Sequence, residues 1–102
     1  MSESDLGGKV LEKTQTITRE PPLYKVVLHN DDYTTMDFVV QILETVFLKQ
    51  PAEAFKIMMQ VHVEGRGLCG AYSYEVAETK VDTVHTMAES ASFPLRASLE
   101  LE

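Results

Sequence analysis

The stretch LHNDDYTTMDF, residues 28–38, joins the end of one apolar run to the start of another through an Asn and two Asp. On its N-terminal side LYKVVLH, residues 23–29, is short and rich in β-branched and aromatic side chains. With the turn-forming NDD behind it, this segment reads as a strand. On its C-terminal side Met36, Val39, Val40, Leu43 and Phe47 recur at the spacing of one helical face, with Thr34 and Asp37 placed as N-cap and N3 of a capping box. A strand that turns at once into a helix puts the NDD side chains at a rim, beside a core yet within reach of solvent.

Working outward, the first helix is expected to end near Gln50, and Pro51 suits the first position of a second. Phe55, Met58, Met59 and His62 continue along that helix until Gly65 supplies its stop. GLCGAYS, residues 67–73, reads as a strand, and Ser73 is placed to cap a third helix whose Ala77, Val81, Val84 and Ala88 share one face. After Pro94, Leu95, Ala97, Leu99 and Leu101 alternate with Arg96, Ser98, Glu100 and Glu102, the period of a half-buried strand. The order strand-helix-helix-strand-helix-strand, with the helices gathered on one face of a small sheet, is an α+β two-layer α/β sandwich.

The chain of 102 residues, 44% of them hydrophobic, has the size of one small domain with a single core. Residues 1–20 carry few large apolar side chains and read as a flexible tail, Pro21 and Pro22 punctuate, and residues 21–102 form the folded domain. A net charge of -7 argues against a nucleic-acid partner, which needs clustered Lys and Arg, and suits a cationic or amine-bearing one. Cys69 is the one cysteine, so neither an intrachain disulfide nor a multi-Cys zinc site is available. With no signal-peptide pattern and no apolar run near the roughly 20 residues of a membrane span, a cytoplasmic location is expected.

On residues alone, NDD has an ordinary account: Asn and Asp stabilise turns, and acids near a helix N-terminus interact favourably with its dipole. An EF-hand reading fails, because DDYTTMDFVVQI lacks the alternating ligands and the Gly at the sixth position. In MMQVH, residues 58–62, Met58, Val61 and His62 share a helical side, either as core or as a pocket wall with an imidazole beside it. Cys69, His62 and an Asp could in principle form a thiol nucleophile, base and orienter, but Cys69 lies within an apolar strand, where a free Cys behaves as a small buried hydrophobe.

YKVVLHNDDYTTMDFVVQIL, MMQVHVEGRGLCG and YEVAETKV together resemble, in order and spacing, segments of the bacterial ClpS adaptors, from about Pro22 to the C-terminus. The resemblance implies a monomeric, non-enzymatic domain without metal or cofactor. It would bind proteins whose first residue is Leu, Phe, Tyr or Trp, the N-degrons, and hand them to the ClpA unfoldase of the ClpAP protease. Carried over by position, Asn30, Asp31 and His62 would contact the free α-amino group, with Asp32 and Thr34 completing the rim. Met36, Val39, Met58, Val61 and Leu95 would line the side-chain pocket, and Glu75 and Lys80 would dock the N-terminal domain of ClpA. Thr35 departs from the pattern, standing where many relatives carry Pro. The alternatives are a protein-interaction domain of similar fold that ignores the N-terminal residue, and a small thiol or metal enzyme.

Overall fold

The computed structural model describes residues 20–102, so the tail expected over residues 1–20 lies, apart from Glu20, outside the described residues. The elements run β1 (Tyr24–His29), α1 (Met36–Thr45), α2 (Pro51–Glu64), β2 (Arg66–Tyr72), α3 (Tyr74–Ser90) and β3 (Arg96–Leu101). This is the expected order. β1 takes the centre of a three-stranded sheet, β2-β1-β3, antiparallel to both neighbours.

Alternation along β1 sends Val26 and Leu28 into the core, where Ile42, Leu43, Ile57, Val61, Cys69 and Val84 meet them. Val27 points to the other face of the sheet, yet it too is buried. On α3, Ala77, Val84 and Ala88 are buried and Val81 is partly so, as the periodicity requires. The alternation of the last strand carries Leu95 and Ala97 into the core, half-buries Leu99 and leaves Leu101 exposed as the strand runs out.

Four local readings need correction. α1 stops at Thr45 instead of continuing to Gln50. Leu48 adopts φ 54, and the Lys49 amide reaches back to the Leu43 carbonyl at 3.0 Å, closing the helix with a left-handed residue in the manner usually left to glycine. The N-cap of α1 is Thr35, whose hydroxyl accepts from the Phe38 amide at 3.1 Å, so Thr34 and Asp37 do not form the capping box. The Thr34 hydroxyl is turned instead to Asp31, to which it donates. On α2, Phe55 belongs to the exposed side, and the core-facing residues are Ala54, Ile57, Met58 and Val61. Ser73 does occupy the N-cap of α3, but its side chain accepts no capping hydrogen bond.

The signals around α2 agree with its geometry. Pro51 sits in the first turn, and Gly65 at φ 92 ends the helix in the left-handed region that favours glycine. Two residues on, Gly67 lets β2 pass close under α2: a Cβ there would stand 2.7 Å from Val61 Cγ2 and 3.2 Å from the Ile57 carbonyl oxygen. Among the described residues, no helix is long and apolar enough to cross a membrane.

Candidate functional site

Sheet register explains how Asn30 and His62, 32 positions apart, come together. His29, the last residue of β1, pairs with Arg66, the first of β2. The next residue of the first strand, Asn30, therefore lies against the end of α2, where its amide donates to the Gly65 carbonyl at 2.9 Å. His62 is one turn back along that helix. On the other side, the short connection from Asn30 to the Thr35 cap fixes how α1 departs, and α1 packs beside α2.

A cavity of about 220 Å³ opens at this junction, lined by Asn30, Asp31, Asp32, Thr34, Met36, Val39, Met58, Val61 and His62. Its two sides differ in chemistry. The loop and His62 present oxygen and nitrogen acceptors at the mouth, while Met36 and Val39 from α1 and Met58 and Val61 from α2 form an apolar wall. Val39, Met58 and Val61 are buried, at 6%, 4% and 2% exposure, whereas Met36 stands at the entrance with 43% exposed. Helical spacing accounts for the wall: Met36 and Val39 are three apart, as are Met58 and Val61, so each pair shares a face.

The loop is organised by one carboxylate. Asp31 Oδ1 accepts from the Tyr33 amide at 2.8 Å and the Thr34 amide at 2.7 Å, and Oδ2 accepts from the Thr34 hydroxyl at 2.7 Å. Burial acts to raise the Asp31 carboxyl, but the bonds from the Thr34 hydroxyl and from the Thr34 and Tyr33 amides outweigh it and hold the carboxyl below its ordinary value. It is an anion at neutral pH. Among the described residues, the side chains of Asn30, Asp32 and His62 form no hydrogen bond to protein. All three side chains can accept from a ligand at the mouth, His62 provided one ring nitrogen is unprotonated.

The remaining residues fall elsewhere. Leu95, which the resemblance implies as a pocket residue, is not in this lining. It precedes Arg96, is 2% exposed in the core, and contributes to a separate hollow between α3 and β3. Glu75 and Lys80 border a shallow concavity on α3 with Val76 and Thr79. Lys80 is engaged within the chain: its ammonium donates to the Val46 carbonyl at 2.8 Å and lies 5.2 Å from the Tyr72 ring centre and 5.8 Å from that of Phe47. Cys69 is 1% exposed, and burial pushes its thiol up to about 12, so it is not poised as a nucleophile. Among the described residues, no group of three His, Cys, Asp or Glu side chains is placed to hold a metal.

A small domain with an apolar recess capped by acceptors, and with an inert thiol, has the architecture of a binding module. Its sequence matches the family described as ATP-dependent Clp protease adaptor protein ClpS over residues 19–98. A ClpS adapter protein from Desulforapulum autotrophicum is 50% identical over 102 residues, covering 100% of this chain and 98% of the relative, and one from Desulfotalea psychrophila is 58% identical over 85 residues, covering 83% of each. Among solved structures, Agrobacterium tumefaciens ClpS2 bound to L-phenylalaninamide superimposes with a TM-score of 0.79 at 36% identity, covering 81% of this chain and 100% of that one. The chain belongs to the ClpS family of Clp protease adaptors.

Proposed function

We propose that the cavity binds the first residue of N-degron proteins, taking the free α-amino group at its mouth and a Leu, Phe, Tyr or Trp side chain against its wall. The observation that carries this reading is the two-sided lining: acceptors from Asn30, Asp32 and His62 stand over the recess formed by Val39, Met58 and Val61. An α-ammonium offers three donors and no acceptor, so a mouth of acceptors and carboxylates complements it. A side chain entering the recess gains roughly 1.5 to 3 kcal/mol from burial, enough for selection and modest enough for release. Phenylalaninamide, the ligand of the Agrobacterium relative, carries an aromatic side chain, which is consistent with this division of labour.

Delivery would use α3. Exposed Tyr74 and Val76 flank Glu75 and form, with the Glu75 carboxylate, a mixed surface suited to the N-terminal domain of the ClpA unfoldase. The adaptor acts as a monomer in the cytoplasm, and it does no chemistry on its cargo. Peptides identical except for their first residue test the reading. Leu, Phe, Tyr and Trp should bind measurably by fluorescence polarisation, while Asp, Lys and Gly should not; a flat series would contradict it.

A further inference from the structure

On the reading that the mouth takes an α-ammonium, the carboxylates of Asp31 and Asp32 look interchangeable in sequence, but the structure separates them. The fold already uses three of the about four lone-pair directions of the Asp31 carboxylate, leaving one on Oδ2. Oδ1 accepts two backbone amides, which uses both of its lone-pair directions, and Oδ2 accepts the Thr34 hydroxyl. Asp32 and Asn30, on either side, have no such partners among the described residues. Thr34 also precedes Thr35, the N-cap of α1, so the bonds it donates to Asp31 hold the chain just ahead of that helix and of Met36 at the entrance.

We infer that Asp31 is a positioning residue. It folds residues 31–34 into a rigid turn that aims Asn30 and Asp32 at the amine and holds Met36 at the mouth, and it does not itself serve as a ligand of the ammonium.

The two roles differ in what they require of the side chain. A ligand of a cation needs the negative charge. A positioning residue needs an oxygen that accepts from the Tyr33 and Thr34 amides, and Asn supplies that oxygen while its NH₂ can donate to the Thr34 hydroxyl, which is itself able to accept. Asp31→Asn and Asp31→Ala, compared in the full chain, therefore separate them. A fluorescent Leu-initiated peptide should bind Asp31→Asn at least about 10-fold more tightly than Asp31→Ala, and the hydrogen-bonded amide resonances of Tyr33 and Thr34 should persist in the Asn variant and be lost in the Ala variant. Equal affinities of the two variants would overturn the inference.

Thr34→Val gives a second handle that keeps the charge and frees Oδ2. Positioning predicts weaker binding, about 3-fold or more, while a direct ligand with a liberated oxygen would bind as well or better. Each variant is read against the same peptide carrying an N-acetyl group. If the unmodified protein fails to prefer the free amine, the binding reading itself has failed, a result distinct from a wrong role for Asp31.

Discussion

Two hollows of the domain make an instructive pair, and the larger of them is the chemically poorer. Between α3 and β3 a cavity of about 650 Å³ is lined by Asp82, His85, Thr86, Glu89, Phe93 and Arg96 among others. Its charges are of both signs, and its imidazole is already in use: His85 Nε2 accepts from the Ala97 amide at 3.0 Å, occupying a hydrogen-bonding group of edge strand β3. The recess at the junction of β1, α1 and α2 has about a third of that volume, yet it sorts acceptors to one side and apolar surface to the other. On the proposed reading, recognition follows the ordering of chemistry, since a few convergent polar groups over an apolar floor fix both orientation and identity.

The largest effect that could break this comparison is at Asn30. Asn30→Leu should weaken a Leu-initiated peptide about 10- to 100-fold, the worth of a hydrogen bond to a charged group. In the larger hollow, His85→Ala should cost about 1 kcal/mol of stability by urea denaturation, leaving the Ala97 amide without its imidazole, and should not change peptide affinity. Comparable losses of binding in the two variants would mean that the hollows are not functionally distinct.

Gly67→Ala tests how the wall is held. The new Cβ would collide with Val61 Cγ2, so a stability loss of about 1 to 3 kcal/mol is expected, with peptide affinity falling as Val61 shifts. A fully stable variant with unaltered binding would show that β2 does not support the recess.

Lys80→Met sharpens the division between recess and docking face. The variant keeps the aliphatic stem but removes the ammonium from the Val46 carbonyl and the aromatic rings, which should cost about 1 to 2 kcal/mol while peptide affinity holds. An unchanged melting temperature would instead free Lys80 for a partner.

The smallest effect concerns Cys69. Its thiol is raised from 9.0 to about 12 on folding, so the unfolded chain loses the proton first, and the Cys69 contribution to stability should be constant below pH 9 and decline as pH rises from 9 toward 12. At pH 8 the folded protein should resist alkylation by iodoacetamide, and mass spectrometry finding rapid labelling would return the thiol to consideration as a reactive group.

Much of this was legible because several signals coincided at particular residues. Pro51 and Gly65 bracket α2 by backbone preference alone, and the 3.6-residue period of α3 identifies Ala77, Val84 and Ala88 as its inner face. The nine residues that meet at the recess all lie in segments whose family resemblance is visible in the chain. What was hidden depended on tertiary partners. Leu48 ends α1 in a conformation that a leucine does not advertise, and of two adjacent threonines it is Thr35 that caps α1 while the Thr34 hydroxyl donates to Asp31. Leu95 has the apolar character of a pocket residue, but only packing shows that the core and the α3–β3 hollow take it up. The engagement of His85 with the sheet edge has no sequence signature beyond a histidine on a polar helical face.

The central claim is that the mouth of the recess recognises a free α-ammonium, and the most direct measurement compares one Leu-initiated peptide with its N-acetylated form by calorimetric titration at pH 7.5. Acetylation removes the charge and two of the donors while leaving the leucine side chain intact, so affinity should fall at least about 30-fold. Binding of the two peptides within about 2-fold of each other would contradict the account, because burial of the leucine would then suffice and the acceptors over the recess would have no part in recognition.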